Sequence, residues 1–77
     1  MTNLEITMDN GIVMMLPLNN VLAEEIDDVI SIHADNGFMI TIPKDSVEEE
    51  SHIDAKDIYE TYDGIKIVLE YIERDEN

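Results

Sequence analysis

Leu4-Glu5-Ile6-Thr7-Met8-Asp9-Asn10-Gly11-Ile12-Val13-Met14-Met15-Leu16-Pro17 has an echo 26 residues later. The echo is Ile30-Ser31-Ile32-His33-Ala34-Asp35-Asn36-Gly37-Phe38-Met39-Ile40-Thr41-Ile42-Pro43. Both read as an alternating strand, an Asp-Asn-Gly turn, and a second alternating strand stopped by proline. In a three-residue loop of this kind the glycine takes the left-handed position of a bulge, which it fills without steric cost. That loop pairs Met8 with Ile12, Ile6 with Met14 and Leu4 with Leu16. In the second copy it pairs Ala34 with Phe38, Ile32 with Ile40 and Ile30 with Ile42. Each apolar residue then meets another on one face, as a half-buried antiparallel sheet requires. A two-residue Asn-Gly turn would set Asp9 beside Ile12 and mismatch both faces.

A looser third copy is Asp57-Ile58-Tyr59-Glu60-Thr61-Tyr62-Asp63-Gly64 followed by Ile65 to Ile72. A two-residue Asp63-Gly64 turn pairs Tyr62 with Ile65 and Ile58 with Leu69, yet leaves Glu60 opposite Ile67. The chain therefore reads as three β-hairpins. The connectors between them read as short helices. Asn19 or Asn20 can cap Val21, Leu22, Glu24, Glu25 and Ile26, and Ser46 with Glu49 has capping-box spacing. The expected fold is a β-rich α+β domain with up to six antiparallel strands and one or two short helices. It would form an open curved sheet or a small barrel. A single domain over residues 1–73 and a frayed tail over 74–77 are expected.

Charge narrows the function. Nineteen Asp and Glu stand against four Lys and Arg in 77 residues, a formal charge of −15. The apolar share of 44% is that of a folded chain rather than a disordered one. A surface this acidic does not suit direct binding to nucleic acid or anionic lipid, both of which need Lys and Arg. No apolar run is long enough to cross a bilayer as a helix, and no basic leader opens the chain, so a cytoplasmic location is expected. There is no cysteine, hence no disulfide and no Cys zinc site.

The first 43 residues hold seven acids and no Lys or Arg; the rest hold twelve acids and Lys44, Lys56, Lys66 and Arg74. So few cations cannot neutralise most of these carboxylates. Two groups of acids stand out: Glu24, Glu25, Asp27 and Asp28, then Glu48, Glu49, Glu50, Asp54, Asp57 and Glu60. One reading is a solvated surface. The other is a set of phosphate surrogates, because carboxylates accept bidentate bonds from Arg as phosphates do.

Catalysis has little to stand on. His33 falls on the outward parity of a strand and His52 lies in an acidic connector, and neither has triad or metal-ligand spacing. Asp54, Asp57, Glu60 and Asp63 recur every third residue, which is not the alternate spacing of a calcium loop. No enzyme activity, metal or cofactor is expected. By register Met8 and Met14 fill the core, while Val13, Met15 and Met39 point to the other face. That face is either covered by the connectors or an exposed apolar strip for dimerisation or partner binding.

The run Ile40-Thr41-Ile42-Pro43-Lys44, then Ile53-Asp54-Ala55-Lys56-Asp57, then Asp63-Gly64-Ile65-Lys66-Ile67-Val68-Leu69 resembles the AbrB/MazE swapped-hairpin family. Residues Leu16 to Ile42 make a fainter copy of the same pattern. The resemblance implies an intertwined β-barrel dimer with a short helix after the Ile-Pro-Lys element. That family contacts DNA through basic residues, which the first copy here lacks, so no functional residue carries over. The acidity is similar in type to the small phage-encoded inhibitors that imitate DNA, such as uracil-DNA glycosylase inhibitor and several anti-CRISPR proteins. The leading expectation is a non-enzymatic nucleic-acid mimic. It would occupy the basic groove of a DNA- or RNA-processing protein through the ten acids named above. The alternative is a dimerising, antitoxin-like interaction module of the AbrB/MazE type without DNA binding.

Overall fold

A computed structural model describes residues 1–72; the tail over 74–77 lies outside the described residues. Eight strands follow one another: β1 (Thr2–Thr7), β2 (Val13–Leu18), β3 (Leu22–Ile26), β4 (Val29–His33), β5 (Met39–Pro43), β6 (Val47–Ile53), β7 (Lys56–Thr61) and β8 (Lys66–Tyr71). They build a five-stranded sheet of order β2-β1-β8-β7-β6 and a three-stranded sheet of order β3-β4-β5, all pairings antiparallel.

The α+β expectation is overturned. Among the described residues the only helical element is one 3-10 turn, Lys44–Ser46, and both connectors are strands. The first connector is β3. What looked like the end of a helix, Asp27-Asp28, is a two-residue hairpin turn with φ of 52° and 65°. Both residues sit in the left-handed region that a type I′ turn demands and that Asp tolerates better than most. The second connector is β6, joined to β7 by Asp54-Ala55 with φ of 53° and 62°. Ser46 does not cap a helix; its Oγ donates to the Pro43 carbonyl at 2.7 Å. The physical reason is length. Helices of about six residues are marginal in water, whereas the same residues as strands satisfy their backbone against a waiting sheet edge.

The registers of the first two hairpins are those read from the sequence. Ile6 faces Met14 and Leu4 faces Leu16; Ile32 faces Ile40 and Ile30 faces Ile42. The Met8 N–H donates to the Ile12 carbonyl at 2.8 Å and the Ala34 N–H to Phe38 at 3.0 Å. The third hairpin has the same three-residue loop, not a two-residue turn. The Thr61 N–H donates to Ile65, Tyr59 faces Ile67, and Gly64 has φ of 89°. Glu60 thereby faces Lys66 instead of Ile67.

Two whole units emerge from this. Strands β3-β4-β5 and β6-β7-β8 are the same three-stranded meander, displaced by 27 residues, with Asp27 matching Asp54 and Gly37 matching Gly64. Hairpin β1–β2 is a third copy without its first strand, and β8 pairs along the β1 edge that this strand would occupy. Proline does not stop β2: Pro17 lies inside the strand. Because Met8 and Ile12 form a hydrogen-bonded pair, alternation turns the backbone of residue 17 away from β1, so no ladder bond is lost.

One core joins the two sheets. Leu4, Leu18, Tyr59, Ile67 and Leu69 from the larger sheet cluster with Ile30, Ile32, Ala34 and Ile42 from the smaller. Leu4, Ile30, Ile32 and Leu69 are fully buried. Three strands cannot cover five, and the larger sheet overhangs at both ends. At the β2 end, Met14 and Leu16 share the core-facing parity of Leu18 but are 49% and 39% exposed. Met14 is thus not the core filler its register suggested. At the β6 end, Glu50 and His52 share the parity of Tyr59 and are polar. The overhang is apolar on one side and ionic on the other.

Candidate partner interface

The ionic overhang is where the acidic groups of the sequence meet. Glu50 sits opposite Tyr59, and His52 opposite Asp57, so all four side chains lie on the core-facing side of β6 and β7. His52 Nε2 is 2.7 Å from Glu50 Oε2, and Nδ1 is 2.6 Å from Asp57 Oδ1. The second oxygen of Asp57 accepts from the Tyr71 hydroxyl at 2.6 Å. His52 also stands edge-on to the Tyr59 ring, with centroids 6.0 Å apart. The result is a chain of polar contacts, Glu50–His52–Asp57–Tyr71, that ties β6 to β7 and β8.

From the smaller sheet, Glu25 of β3 reaches Lys44 with an oxygen-to-nitrogen distance of 2.9 Å. The Lys44 N–H donates to the Asp28 carbonyl at 2.8 Å. Asp28, Lys44 and Asp45 line a depression in the surface beside this contact.

The electrostatics show that these groups share one neighbourhood. The hydrogen bond and charge of Glu25 hold the Lys44 ammonium above its usual value, and Glu50 and Asp28 act in the same direction. The bonds from Asp57 and then Glu50 raise the His52 imidazole. Burial, followed by the charges of Asp57, Glu50 and Glu25, pushes the Tyr59 phenol up to about 12. Burial and the bond to Asp57 raise the Tyr71 phenol as well. Both phenols keep their protons, and the Tyr71 hydroxyl is the donor to Asp57.

Of the ten acids expected to face a partner, Glu25, Asp28, Glu50 and Asp57 gather at this seam, from β3, its turn, β6 and β7. Asp27 is in the same turn as Asp28. The others are not on this face. Glu24 has the opposite parity to Glu25 and lies 3.6 Å from His33 on the outer side of the smaller sheet. Glu49 and Glu60 oppose each other on the outer side of the larger sheet. Glu48 falls where the β6–β7 register shifts, and Asp54 is in the β6–β7 turn.

His52, Lys44, Tyr59, Tyr71 and Asp45 were missing from the sequence-derived set. The available signal was the pairing of His52 with Asp57 across a two-residue turn, which the helical reading of the connector hid. Both ring nitrogens of His52 are engaged by carboxylates, so neither is placed to take a proton from a nucleophile. Among the described residues no group of three His, Cys, Asp or Glu is arranged to hold a metal ion. Among the described residues, too, no helix is long and apolar enough to cross a membrane. Compared with known proteins, the chain matches no family model, no curated protein and no solved structure.

Proposed function

We propose that this protein is a non-enzymatic inhibitor that mimics nucleic acid and occupies the basic groove of a DNA- or RNA-processing protein, as a phage-encoded anti-defence factor would. The observation that carries the reading is the seam. Carboxylates of Glu25, Asp28, Glu50 and Asp57 come from three stretches of chain, β3 with its turn, β6 and β7, and among the described residues they crowd around Lys44 and His52. Glu25, Glu50 and Asp57 stand on hydrogen-bonded strands and Asp28 on the tight turn between β3 and β4, so the spacing of the negative groups is held in place. Duplex DNA carries about one charge per 1.7 Å of axis. Carboxylates held on such a scaffold present the acceptors that Arg and Lys of such a groove bind, and Arg can take them bidentately. Glu48, Glu49, Asp54 and Glu60 extend the negative field beyond the seam and steer a cationic partner toward it.

The experiment is capture of partners from host lysate on the immobilised protein, followed by elution with duplex DNA. A nucleic-acid-processing protein displaced by DNA, with affinity falling steeply as salt rises, is the expected result. Binding that is indifferent to salt and to excess DNA would overturn the proposal.

A further inference from the structure

We propose that β2 is a homodimerisation edge, pairing antiparallel with β2 of a second copy to make a continuous ten-stranded sheet. The inference is independent of the acidic seam. Among the described residues four strands have a free edge: β2 and β6 in the larger sheet, β3 and β5 in the smaller. Strands β3 and β6 carry Glu24-Glu25 and Glu48-Glu49-Glu50, which guard them against pairing with another negative chain. Strands β2 (Val13–Leu18) and β5 (Met39–Pro43) both lack a charged residue, but exposure along β5 is interrupted at Ile40 and Ile42 and the strand ends in Pro43, whereas the first five residues of β2 are all exposed.

Its backbone is open. Alternation from the Met8–Ile12 pair turns the N–H and C=O groups of Val13 and Met15 outward, where β2 has no neighbour among the described residues. Pro17 is the next outward position and has no N–H to offer. One register suits these groups. With Met14 opposite Met14 of the second copy, Val13 and Met15 exchange backbone hydrogen bonds across the two-fold axis. Pro17 then falls opposite Gly11, which has no side chain and nothing within 4 Å of where a Cβ would stand. Moving the register by one pair, to set Pro17 against Val13, would drive the ring into a ladder position.

The same register pairs the side chains. On the core-facing side Ile12 meets Leu16 and Met14 meets Met14; on the outer side Val13 meets Met15. These five residues are 57%, 48%, 49%, 64% and 39% exposed in chain order. All find apolar partners in a second copy, so the surface is self-complementary in the way a two-fold contact requires. Charge permits the approach. The nearest acid across the sheet is Glu5 on β1, opposite Met15. Two Glu5 side chains would stand three strand spacings apart, about 14 Å, beyond the screening length of about 8 Å at physiological ionic strength.

Sedimentation equilibrium over a concentration series tests this, together with two substitutions at position 14. The chain has no cysteine, so Met14→Cys introduces a single thiol directly opposite its copy, within disulfide reach. Mild oxidation should cross-link Met14→Cys rapidly, and should leave Met39→Cys, an equally exposed position on β5, uncross-linked. Met14→Glu places like charges face to face and should raise the dimer dissociation constant at least about tenfold, with an unchanged far-ultraviolet circular dichroism spectrum. If Met14→Glu fails to fold, the cross-linking comparison still decides. A chain that stays monomeric up to about 1 mM overturns the proposal. So does Met39→Cys cross-linking as fast as Met14→Cys, or a folded Met14→Glu variant that dimerises like the parent.

Discussion

Asp57 Oδ1 lies 2.6 Å from His52 Nδ1, directly across the β6–β7 pair and two residues either side of the Asp54-Ala55 turn. This contact closes the edge of the larger sheet where the smaller sheet does not reach. It also makes the edge sensitive to protons, because the imidazole attracts Asp57 and Glu50 strongly only when charged. His52 is raised by its bonds to Asp57 and then Glu50. A group whose folded value is raised contributes stability that is fully present below its unfolded value, about 6.5 for histidine, and is lost as pH rises through the folded value. Thermal unfolding should therefore show a loss of stability as pH climbs above this point. His52→Gln should flatten that part of the profile. An identical pH profile in the variant would show that the contact contributes nothing.

Ala55 occupies a left-handed position, φ of 62°, with its carbonyl accepting from Tyr71 at 2.9 Å. An alanine there holds a conformation that glycine adopts without steric cost. Ala55→Gly keeps the carbonyl and should stabilise the protein by about 0.5–1 kcal/mol, as the relief of left-handed strain outweighs the added freedom of the unfolded chain. Chemical denaturation that gave a lower midpoint would contradict this.

Leu69 is fully buried on β8, between Leu4 on one side and Asp57 on the other. Leu69→Ala leaves a cavity at the centre of the one core the two sheets share. The expected loss is about 2–5 kcal/mol, which is a large part of the total of about 5–15 kcal/mol for an ordinary domain. Urea unfolding should show it directly. A loss no larger than that of a surface substitution would mean that the sheets do not pack through this residue.

The formal charge of −15 implies strong self-repulsion in the compact state. Added sodium chloride screens it, so the melting temperature should rise between low and physiological salt. Glu25→Gln and Glu50→Gln, which remove charge from the seam, should weaken the rise. A melting temperature that falls with salt would mean that attractive pairs such as Glu25–Lys44 dominate.

The hairpins were legible because their information is local. Asp9-Asn10-Gly11 and Asp35-Asn36-Gly37 specify both the loop and the register, and each Asn side chain accepts from the N–H two residues on, at 3.1 Å from Ile12 and 3.0 Å from Phe38. Tyr62-Asp63-Gly64 lacks that Asn, so the third register was read one residue short. Strands β3 and β6 were illegible for a different reason. Acid-rich segments of five and seven residues have weak local preference, and a free sheet edge decides their conformation. The candidate site suffered with them, since His52 and Glu50 share a face only when β6 is extended.

By itself, then, the sequence determined the two-residue periodicity, the registers of two hairpins and the excess of negative charge, all properties of neighbouring residues. Tertiary structure alone decided which core-parity positions became core. Leu4 and Met14 stand on the same face of paired strands, yet one is fully buried and the other half exposed. The difference is that a three-stranded layer lies over Leu4 and the Leu18 end of β2 but stops short of the stretch from Met14 to Leu16, and no local pattern of residues records where a facing sheet ends.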